Sequence, residues 1–232
     1  MITSNSCWLR DTCLKYKKEP DYCSEDVFCI KLFKINSLYE NALLTEAQKK
    51  HVTLFPDADG TDYDKFVQLR NIENNILQFV KEGKSLYLHS ANCGNGKTAW
   101  SIRLLQAYFN RIWFDSDIGC KGLFINVPKF FLALKDNISK PSEYIEHIKS
   151  NITSADIVVW DEVGIKNCTQ FEFENFLSMV NSRIDLGKSN IYTSNLTQEE
   201  LLEKVGERLY SRIINLSVDI ELNGIDKRGL NK

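Results

Sequence analysis

The amino-acid sequence predicts an α/β fold in which a parallel five-stranded sheet is flanked by helices. Apolar runs of strand length alternate with longer segments of helical periodicity, which is the order of a parallel sheet with helical crossovers. These runs are apolar along most of their length, as strands buried on both faces are. A glycine-containing loop at residues 91–98 joins the first such strand to a helix.

Each element has its own local signal. A helix with one apolar face begins at Thr61 or Asp62 and ends at Gly83, because glycine is common just beyond the last helical turn. Strands are predicted at residues 85–89, 122–127, 156–160, 189–193 and 216–222. Further helices are predicted at residues 98–109, from residue 129 onward, and at 142–150, 170–186, 198–205 and 207–214.

The composition is that of a globular protein. The chain has 232 residues, of which 43% are apolar and 26% charged, so one full-sized domain with a small appendage is expected. No apolar stretch approaches the ~20 residues of a membrane span, and the N-terminus lacks the layout of a signal peptide. We therefore expect a cytoplasmic protein without a membrane partner. The net charge of −2 excludes a global attraction to nucleic acid, so any DNA contact must use a local basic patch.

The loop at residues 91–98 has the pattern of a phosphate-binding loop, except that alanine replaces the first glycine. Backbone N–H groups at the mouth of a helix bind anions, and the helix dipole strengthens that binding. Lys97 is expected to reach the β- and γ-phosphates of ATP, and the Thr98 hydroxyl to hold Mg²⁺. Ala91 is tolerated if its φ is negative. The predicted nucleotide-binding residues of the loop are Ala91, Asn92, Cys93, Gly94, Asn95, Gly96, Lys97 and Thr98.

Two adjacent acids, Asp161 and Glu162, follow the third apolar strand. A buried strand delivers its last residue to the carboxyl edge of the sheet, where nucleotides bind in open α/β folds. Asp161 is expected to hold Mg²⁺ through water, and Glu162 to orient and deprotonate the attacking water. Together with the upstream loop, these acids favour nucleotide hydrolysis over a solvated strand end.

Polar residues farther along the chain extend the predicted site. Asn195 follows the fourth strand, where an amide either positions the lytic water or serves a turn. Arg208 and Arg212 lie four residues apart and so share one helical face. They are either surface charges or residues that stabilise transition-state charge on a neighbouring subunit's nucleotide.

Four of the seven cysteines lie in the first 29 residues. An odd number argues against a fully paired disulfide framework, and in a cytoplasmic chain such a cluster is a metal site or a set of plain thiols. The spacing lacks the short C-x2–4-C unit of common zinc motifs. A four-thiolate zinc site and a small apolar cluster therefore both stay open. The candidate zinc ligands are Cys7, Cys13, Cys23 and Cys29.

The first 55 residues are too few to fold by core burial alone, so they need a metal, a partner or the main domain. A turn-rich stretch at residues 55–60 is the predicted linker. We therefore divide the chain into a cysteine-rich N-terminal segment, residues 1–55, and a nucleotide-binding domain, residues 56–232.

The region after the fourth strand carries a family resemblance. Residues 193–200 read Thr-Ser-Asn-Leu-Thr-Gln-Glu-Glu, and the segment that follows contains Gly-Glu-Arg and Ser-Arg at residues 206–212. With the motifs upstream, residues 60–230 resemble the bacterial helicase loaders of the DnaC and DnaI type. These are AAA+ ATPases, and the IstB transposition ATPases are related to them.

The resemblance implies roles for individual residues. Asn195 takes the sensor-1 position, Arg212 the arginine-finger position with Arg208 assisting, and Arg228 the sensor-2 position. It also implies an AAA+ sheet in which the Asn195 strand lies between the strands of the loop and of Asp161. The chain ends four residues after Arg228, so the C-terminal lid domain of most AAA+ proteins is expected to be absent.

The function implied by the resemblance is ATP-dependent loading of a DnaB-type replicative helicase onto single-stranded DNA at the initiation of replication. ATP and Mg²⁺ would be the cofactors, and self-association or ring assembly is expected. Residues 1–55 would grip the helicase, and zinc in that segment would match some loaders. The compact chain favours a phage-encoded loader. Two alternatives stay open, namely a transposition helper ATPase that acts with a transposase, and a nucleotide-locked, non-catalytic adaptor.

One candidate DNA contact follows the second strand, where Lys129, Phe130 and Phe131 combine charge with aromatic rings. A buried helix start explains the two phenylalanines equally well.

Overall fold

The computed structural model describes residues 7–10, 13–18, 23, 28–50, 53–57, 60–137, 140–164 and 168–227. Its helices are α1 (Leu14–Lys18), α2 (Ile30–Asn41), α3 (Glu46–Lys49), α4 (Tyr63–Asn74), α5 (Ile76–Lys81), α6 (Lys97–Ile112), α7 (Val127–Asp136), α8 (Glu143–Asn151), α9 (Gln170–Asp185) and α10 (Gln198–Ile214). Its strands are β1 (Ser85–His89), β2 (Gly122–Asn126), β3 (Ile157–Asp161), β4 (Ser189–Ser194) and β5 (Ser217–Glu221). None of the helices in these ranges is long and apolar enough to cross a membrane.

The strands form one parallel sheet in the order β2-β3-β4-β1-β5. This confirms the predicted five-stranded parallel sheet and places β4 between β1 and β3. In register, His89 lies beside Ser194, and Trp160 lies beside Tyr192. The carboxyl ends of the three central strands therefore meet at one edge of the sheet, which is where ligands bind in open α/β folds.

Two hydrophobic cores cover the two faces of the sheet. Leu86 and Leu88 of β1 join a cluster with α2, α4, α5 and α6, whereas Tyr87 between them joins a cluster with α7, α8, α9 and α10. The alternation follows from the two-residue period of a strand. Every residue of β1 and β3 is buried, which explains why both strands are so apolar in sequence.

Helix α2 belongs to the first of these cores. Its Leu38 and Tyr39 are 1% exposed, and the Tyr39 ring lies 5.7 Å from the ring of Phe109 in α6. Of the three supports expected for the N-terminal segment, packing on the main domain is therefore the one that the described residues show. The boundary between residues 1–55 and 56–232 stays a prediction.

The helix expected from residue 62 to residue 83 is in fact two helices. Asn75, with φ −108° and ψ 24°, separates α4 from α5. Asp62 precedes α4 but does not cap it with its side chain. The Asp62 carboxylate instead accepts hydrogen bonds from the backbone N–H groups of Asn223 and Gly224. The spacing of apolar residues predicts which face of such a segment is buried, but it does not reveal a helix break at a single residue.

Helix α7 begins before the expected Lys129 because Asn126 caps it. The Asn126 Oδ1 atom accepts a 3.1 Å hydrogen bond from the Lys129 backbone N–H. Phe130 and Phe131 are 0% and 5% exposed, so they are core residues and do not form the predicted stacking surface for DNA. Lys129 is exposed, and its ammonium lies 5.0 Å from the centre of the Tyr144 ring.

A fully buried arginine, Arg183 in α9, lies at the amino-terminal ends of the strands. Its Nε donates to Asn190 Oδ1 at 2.8 Å, and its two Nη atoms donate to the carbonyl oxygens of Ile152, Ala155 and Ser189 at 2.6 to 2.8 Å. Burial lowers the pKa of Arg183 to about 10, which leaves the guanidinium charged at neutral pH. These bonds join α9 to the connection before β3 and to the first two residues of β4.

Replacing this arginine tests its part in stability. Arg183→Met removes a donor from four buried acceptors, although Asn190 Oδ1 keeps its hydrogen bond from the Trp160 indole nitrogen. We therefore expect the free energy of unfolding to fall by about 3–5 kcal/mol. Urea unfolding followed by circular dichroism measures the change. The matched control is Arg111→Met at an exposed position, for which a change of about 0.5 kcal/mol or less is expected. Equal stability of the two variants would contradict the assignment.

Candidate nucleotide-binding site

The predicted phosphate-binding loop lies between the end of β1 and the start of α6. Gly94 has φ +75° and Gly96 has φ +103°, a conformation that an L side chain rarely adopts. The non-glycine residues with positive φ in the described part of the chain are Leu43, Asp62 and Glu162, so Ala91 does not require glycine's freedom. The substitution of alanine for the first glycine is therefore compatible with the loop.

Lys97 is the first residue of α6, and only 7% of it is exposed. Its Nζ donates to the Asn92 carbonyl oxygen at 2.8 Å and to Asn95 Oδ1 at 3.1 Å. Gly96 precedes it at the helix N-terminus, where backbone N–H groups point toward an anion. The loop thus presents an ammonium and a helix N-terminus at the same place, as a cradle for phosphate needs.

Asp161, at the end of β3, connects the acidic strand to this loop. Its Oδ1 atom accepts hydrogen bonds from Thr98 Oγ1 at 2.8 Å and from Thr193 Oγ1 at 2.7 Å. The residue is 4% exposed, and burial raises the pKa of its carboxyl above the usual value, although the two threonine hydrogen bonds oppose that rise. A buried carboxylate beside a threonine hydroxyl is a donor set that suits Mg²⁺.

Glu162 adopts a left-handed backbone conformation with φ +64°, which costs a non-glycine residue about 1–2 kcal/mol. Two contacts hold it in place. Its backbone N–H donates to Thr193 Oγ1 at 3.0 Å, and its Oε2 accepts from Asn126 Nδ2 at 2.8 Å. A strained backbone at the edge of the sheet is typical of functional sites. The side chain is only half-buried, so a water molecule can approach it.

The arrangement fits ATP and Mg²⁺. The loop supplies the phosphate cradle, while Thr98 and Asp161 supply oxygen ligands that already lie within hydrogen-bond distance of each other. A cation at this position would also offset the cost of burying the Asp161 charge. The residues that would hold nucleotide and metal are therefore brought together from two different strands, as the sequence predicts.

The segment after β5 returns to the loop. Residues 222–227, here called the closing segment, include Lys227, whose backbone N–H donates to the Gly94 carbonyl oxygen at 2.9 Å. The Asp62 carboxylate holds the other end of the segment through the Asn223 N–H at 2.8 Å. Arg228, the predicted sensor-2 residue, lies outside the described residues.

The other predicted residues lie farther out. Asn195 follows the end of β4 and is half-buried. Arg208 and Arg212 are exposed on α10, beyond a kink at Gly206 that divides this helix where two helices are predicted. Both arginines line a cavity of about 320 Å³ between α9 and α10, and Arg212 Nε donates to Asn181 Oδ1 at 3.0 Å. No residue of the phosphate-binding loop lines that cavity in the described structure.

Three residues of the site are not apparent from the sequence. Thr193 joins Asp161 and Glu162 by hydrogen bonds, Asn126 contacts Glu162, and Asp62 holds the closing segment. The sequence holds a signal only for Thr193 and Asn126, because each of them lies at the carboxyl end of a predicted strand.

The cysteines do not form the predicted zinc site. No group of three or more cysteine, histidine or acidic side chains within the described ranges could hold a metal ion. Burial raises the pKa of the Cys7 thiol, and the nearby thiols of Cys29, Cys13 and Cys23 raise it further. Cys7 and Cys29 are half-buried and pack against the core that contains α2. The described structure thus favours the apolar-cluster alternative.

The buried charge of Asp161 leads to a test without nucleotide. Because burial raises the pKa of Asp161, the folded protein binds this proton more tightly than the unfolded chain, and the ionised form destabilises the fold above that pKa. Asp161→Asn removes the charge and keeps an oxygen for both threonines. We expect its melting temperature to exceed that of the wild type at neutral pH without Mg²⁺.

Thermal unfolding over a range of pH completes this test. The difference between the two proteins should shrink as the pH falls through the raised pKa, because the wild-type carboxyl then becomes protonated. Glu174→Gln at an exposed position in α9 is the control. A melting temperature below that of the wild type for Asp161→Asn without Mg²⁺ would show that the burial penalty is absent.

The chain is similar to known proteins in both sequence and structure. No family model matches the chain. In sequence, the chain is 22% identical over 145 residues to the replicative helicase loader DnaC of Escherichia coli K12, a match that covers 62% of this chain and 53% of DnaC. The chain therefore spans about half the length of the curated relatives that it matches.

Three solved structures are similar in fold. The crystal structure of the DnaC helicase loader gives a TM-score of 0.63 at 17% identity, covering 77% of this chain and 100% of that chain. The DnaI crystal structure gives 0.58 at 21% identity, covering 84% and 100%. The replication initiator DnaA bound to AMPPCP and single-stranded DNA gives 0.53 at 19% identity, covering 70% and 46%. The chain is thus similar in sequence to the helicase loader DnaC, and it shares the fold of the DnaC, DnaI and DnaA structures.

Proposed function

We propose that the chain is a cytoplasmic ATPase that loads a DnaB-type replicative helicase onto single-stranded DNA at the initiation of DNA replication. The observation that carries the proposal is the hydrogen bond between Thr98 and Asp161, which joins the phosphate-binding loop to the end of β3 in a single site. The sequence similarity to a replicative helicase loader supports the choice of partner. The similarity in fold to a DnaA bound to single-stranded DNA supports the choice of nucleic acid.

In the proposed reaction each residue has a defined task. Lys97 binds the β- and γ-phosphates, and Thr98 with Asp161 holds Mg²⁺, which when bound neutralises charge on the transferred phosphoryl group. Glu162 orients a water molecule and accepts its proton. The hydrogen bond from Asn126 occupies Glu162 Oε2, which leaves the other carboxylate oxygen for this water molecule. Asn195, at the tip of β4, positions the same water.

The arginines act between subunits in this proposal. Arg208 and Arg212 lie on the outer side of α10, in the cavity next to Asn181, and so are available to the nucleotide of a neighbouring copy. An arginine that stabilises transition-state charge raises the rate by ~10³–10⁵. Hydrolysis would then require self-association, and Arg228 would complete the site near the γ-phosphate.

Two variants separate binding from hydrolysis. Lys97→Ala removes the phosphate-binding ammonium, so we expect no ATP binding at concentrations that saturate the wild type. Glu162→Gln keeps the loop intact and removes the general base, so we expect normal ATP affinity with a loss of turnover of about 10²–10⁴-fold. Equilibrium binding of a fluorescent ATP analogue and phosphate release measure the two properties. Normal ATP binding by Lys97→Ala would refute the proposed site.

The partner is tested by co-purification with the replicative helicase from the same cells. We expect the tagged full chain to retain the helicase with single-stranded DNA when ATP is present. Glu162→Gln should retain it longer, because hydrolysis is the releasing step. Lys97→Ala is the control that cannot bind ATP. Retention of a transposase instead of the helicase would replace the loader by a transposition helper.

A further inference from the structure

Asn95 is a polar residue inside the phosphate-binding loop that is only 3% exposed. Its Oδ1 accepts a hydrogen bond from Lys97 Nζ at 3.1 Å. Its Nδ2 donates to Ser90 Oγ at 2.6 Å and to the Leu222 carbonyl oxygen at 2.9 Å. Both N–H groups and the amide oxygen are thus used.

The orientation of this amide follows from its partners. An ammonium only donates and a carbonyl only accepts, so the oxygen of Asn95 must face Lys97 and its nitrogen must face Leu222. A flipped amide would place two donors together at the lysine and two acceptors together at the carbonyl. The residue therefore forms a directed link from the phosphate-binding ammonium to the chain that leaves β5.

The far end of the link is firmly placed. Leu222 is 3% exposed and belongs to the first core, and its N–H donates to the His89 carbonyl oxygen at 2.9 Å. The closing segment continues from this residue back to Gly94. A further hydrogen bond joins the Asn92 amide nitrogen to the Asn223 carbonyl oxygen at 3.2 Å. Three contacts therefore tie the segment to the loop, two through asparagine side chains and one through the backbone.

We propose that Asn95 is a positioning residue that couples Lys97 to the closing segment, so that nucleotide binding and docking of residues 222–227 strengthen each other. The inference rests on the proposed binding of ATP by this loop. A phosphate group that attracts Lys97 alters the hydrogen bond between Lys97 and Asn95. Asn95 transmits that change to Leu222 through its own hydrogen bond to the Leu222 carbonyl oxygen. By linkage, a firmly docked closing segment holds Asn95 in place and keeps Lys97 oriented for phosphate.

Asn95→Ala tests the coupling with two measurements. We expect its Kd for Mg-ATP to rise about ten-fold, because a hydrogen bond to a charged group and two further bonds are lost. We also expect hydrogen exchange of the closing segment to lose the slowing that ATP causes in the wild type. Asn74→Ala in α4 is the control, because this asparagine is exposed and lies outside both the phosphate-binding loop and the closing segment. The Kd of this variant should change less than three-fold.

A second variant isolates the link itself. Asn95→Asp keeps an oxygen for Lys97 but replaces both donors, so ATP-dependent protection of the closing segment should be lost although the lysine keeps its partner. A purely structural role predicts lower melting temperatures with wild-type affinity and wild-type protection in both Asn95 variants, and that result would overturn the proposal. If Lys97→Ala also binds ATP normally, the proposed function itself has failed. If only the Asn95 variants behave like the wild type, the coupling alone is wrong.

Discussion

The geometry of the candidate site depends on one carboxylate that is buried at the centre of the sheet edge. Asp161 is almost inaccessible, and its Oδ1 atom accepts from Thr98 on one side and from Thr193 on the other. A carboxylate without such partners is expensive to bury. The two threonines come from the start of α6 and the end of β4, so the contact exists only if β3, β4 and β1 lie side by side in that order. The geometry of the site therefore requires this strand order.

The opposite edge of the sheet is built in a different way. There Arg183 fills its donors with carbonyl oxygens and with Asn190 Oδ1, which also accepts from the Trp160 indole nitrogen. Four of the five N–H groups of this buried guanidinium bond to the chain's own acceptors, so the network serves the fold. The carboxyl edge differs, because it presents groups that suit a bound ligand. These groups are the loop backbone, the Lys97 ammonium and the Asp161 carboxylate. The Arg183 network that stabilises the fold and the residues of the candidate binding site therefore lie at opposite ends of the same strands.

How far the sequence predicts this structure depends on the range of the contact involved. The loop, the acidic pair and the alternation of elements are local patterns, and the structure places them as predicted. The contacts of Asn126 with Glu162 and of Asp62 with Asn223 join distant parts of the chain, and no spacing rule reports them. Phe130 shows a second limit, because an aromatic residue beside a lysine has the same sequence signal in a core as on a DNA-binding surface. The cysteines show a third, since spacing alone does not separate metal ligands from small apolar residues.

The contact between Asn126 and Glu162 links the predicted general base to the start of a helix. Asn126 caps α7 with its oxygen and donates to Glu162 with its nitrogen, so one side chain serves both a helix and the proposed general base. A hydrogen bond to a charged group contributes about 1.5–3 kcal/mol, so Asn126 restricts where the Glu162 carboxylate can lie. The left-handed backbone of Glu162 restricts it further, because Thr193 accepts a hydrogen bond from its N–H. Only Oε2 bonds to Asn126, so the other carboxylate oxygen stays available to water. The two contacts therefore hold the predicted general base in one orientation at the sheet edge, next to the buried Asp161.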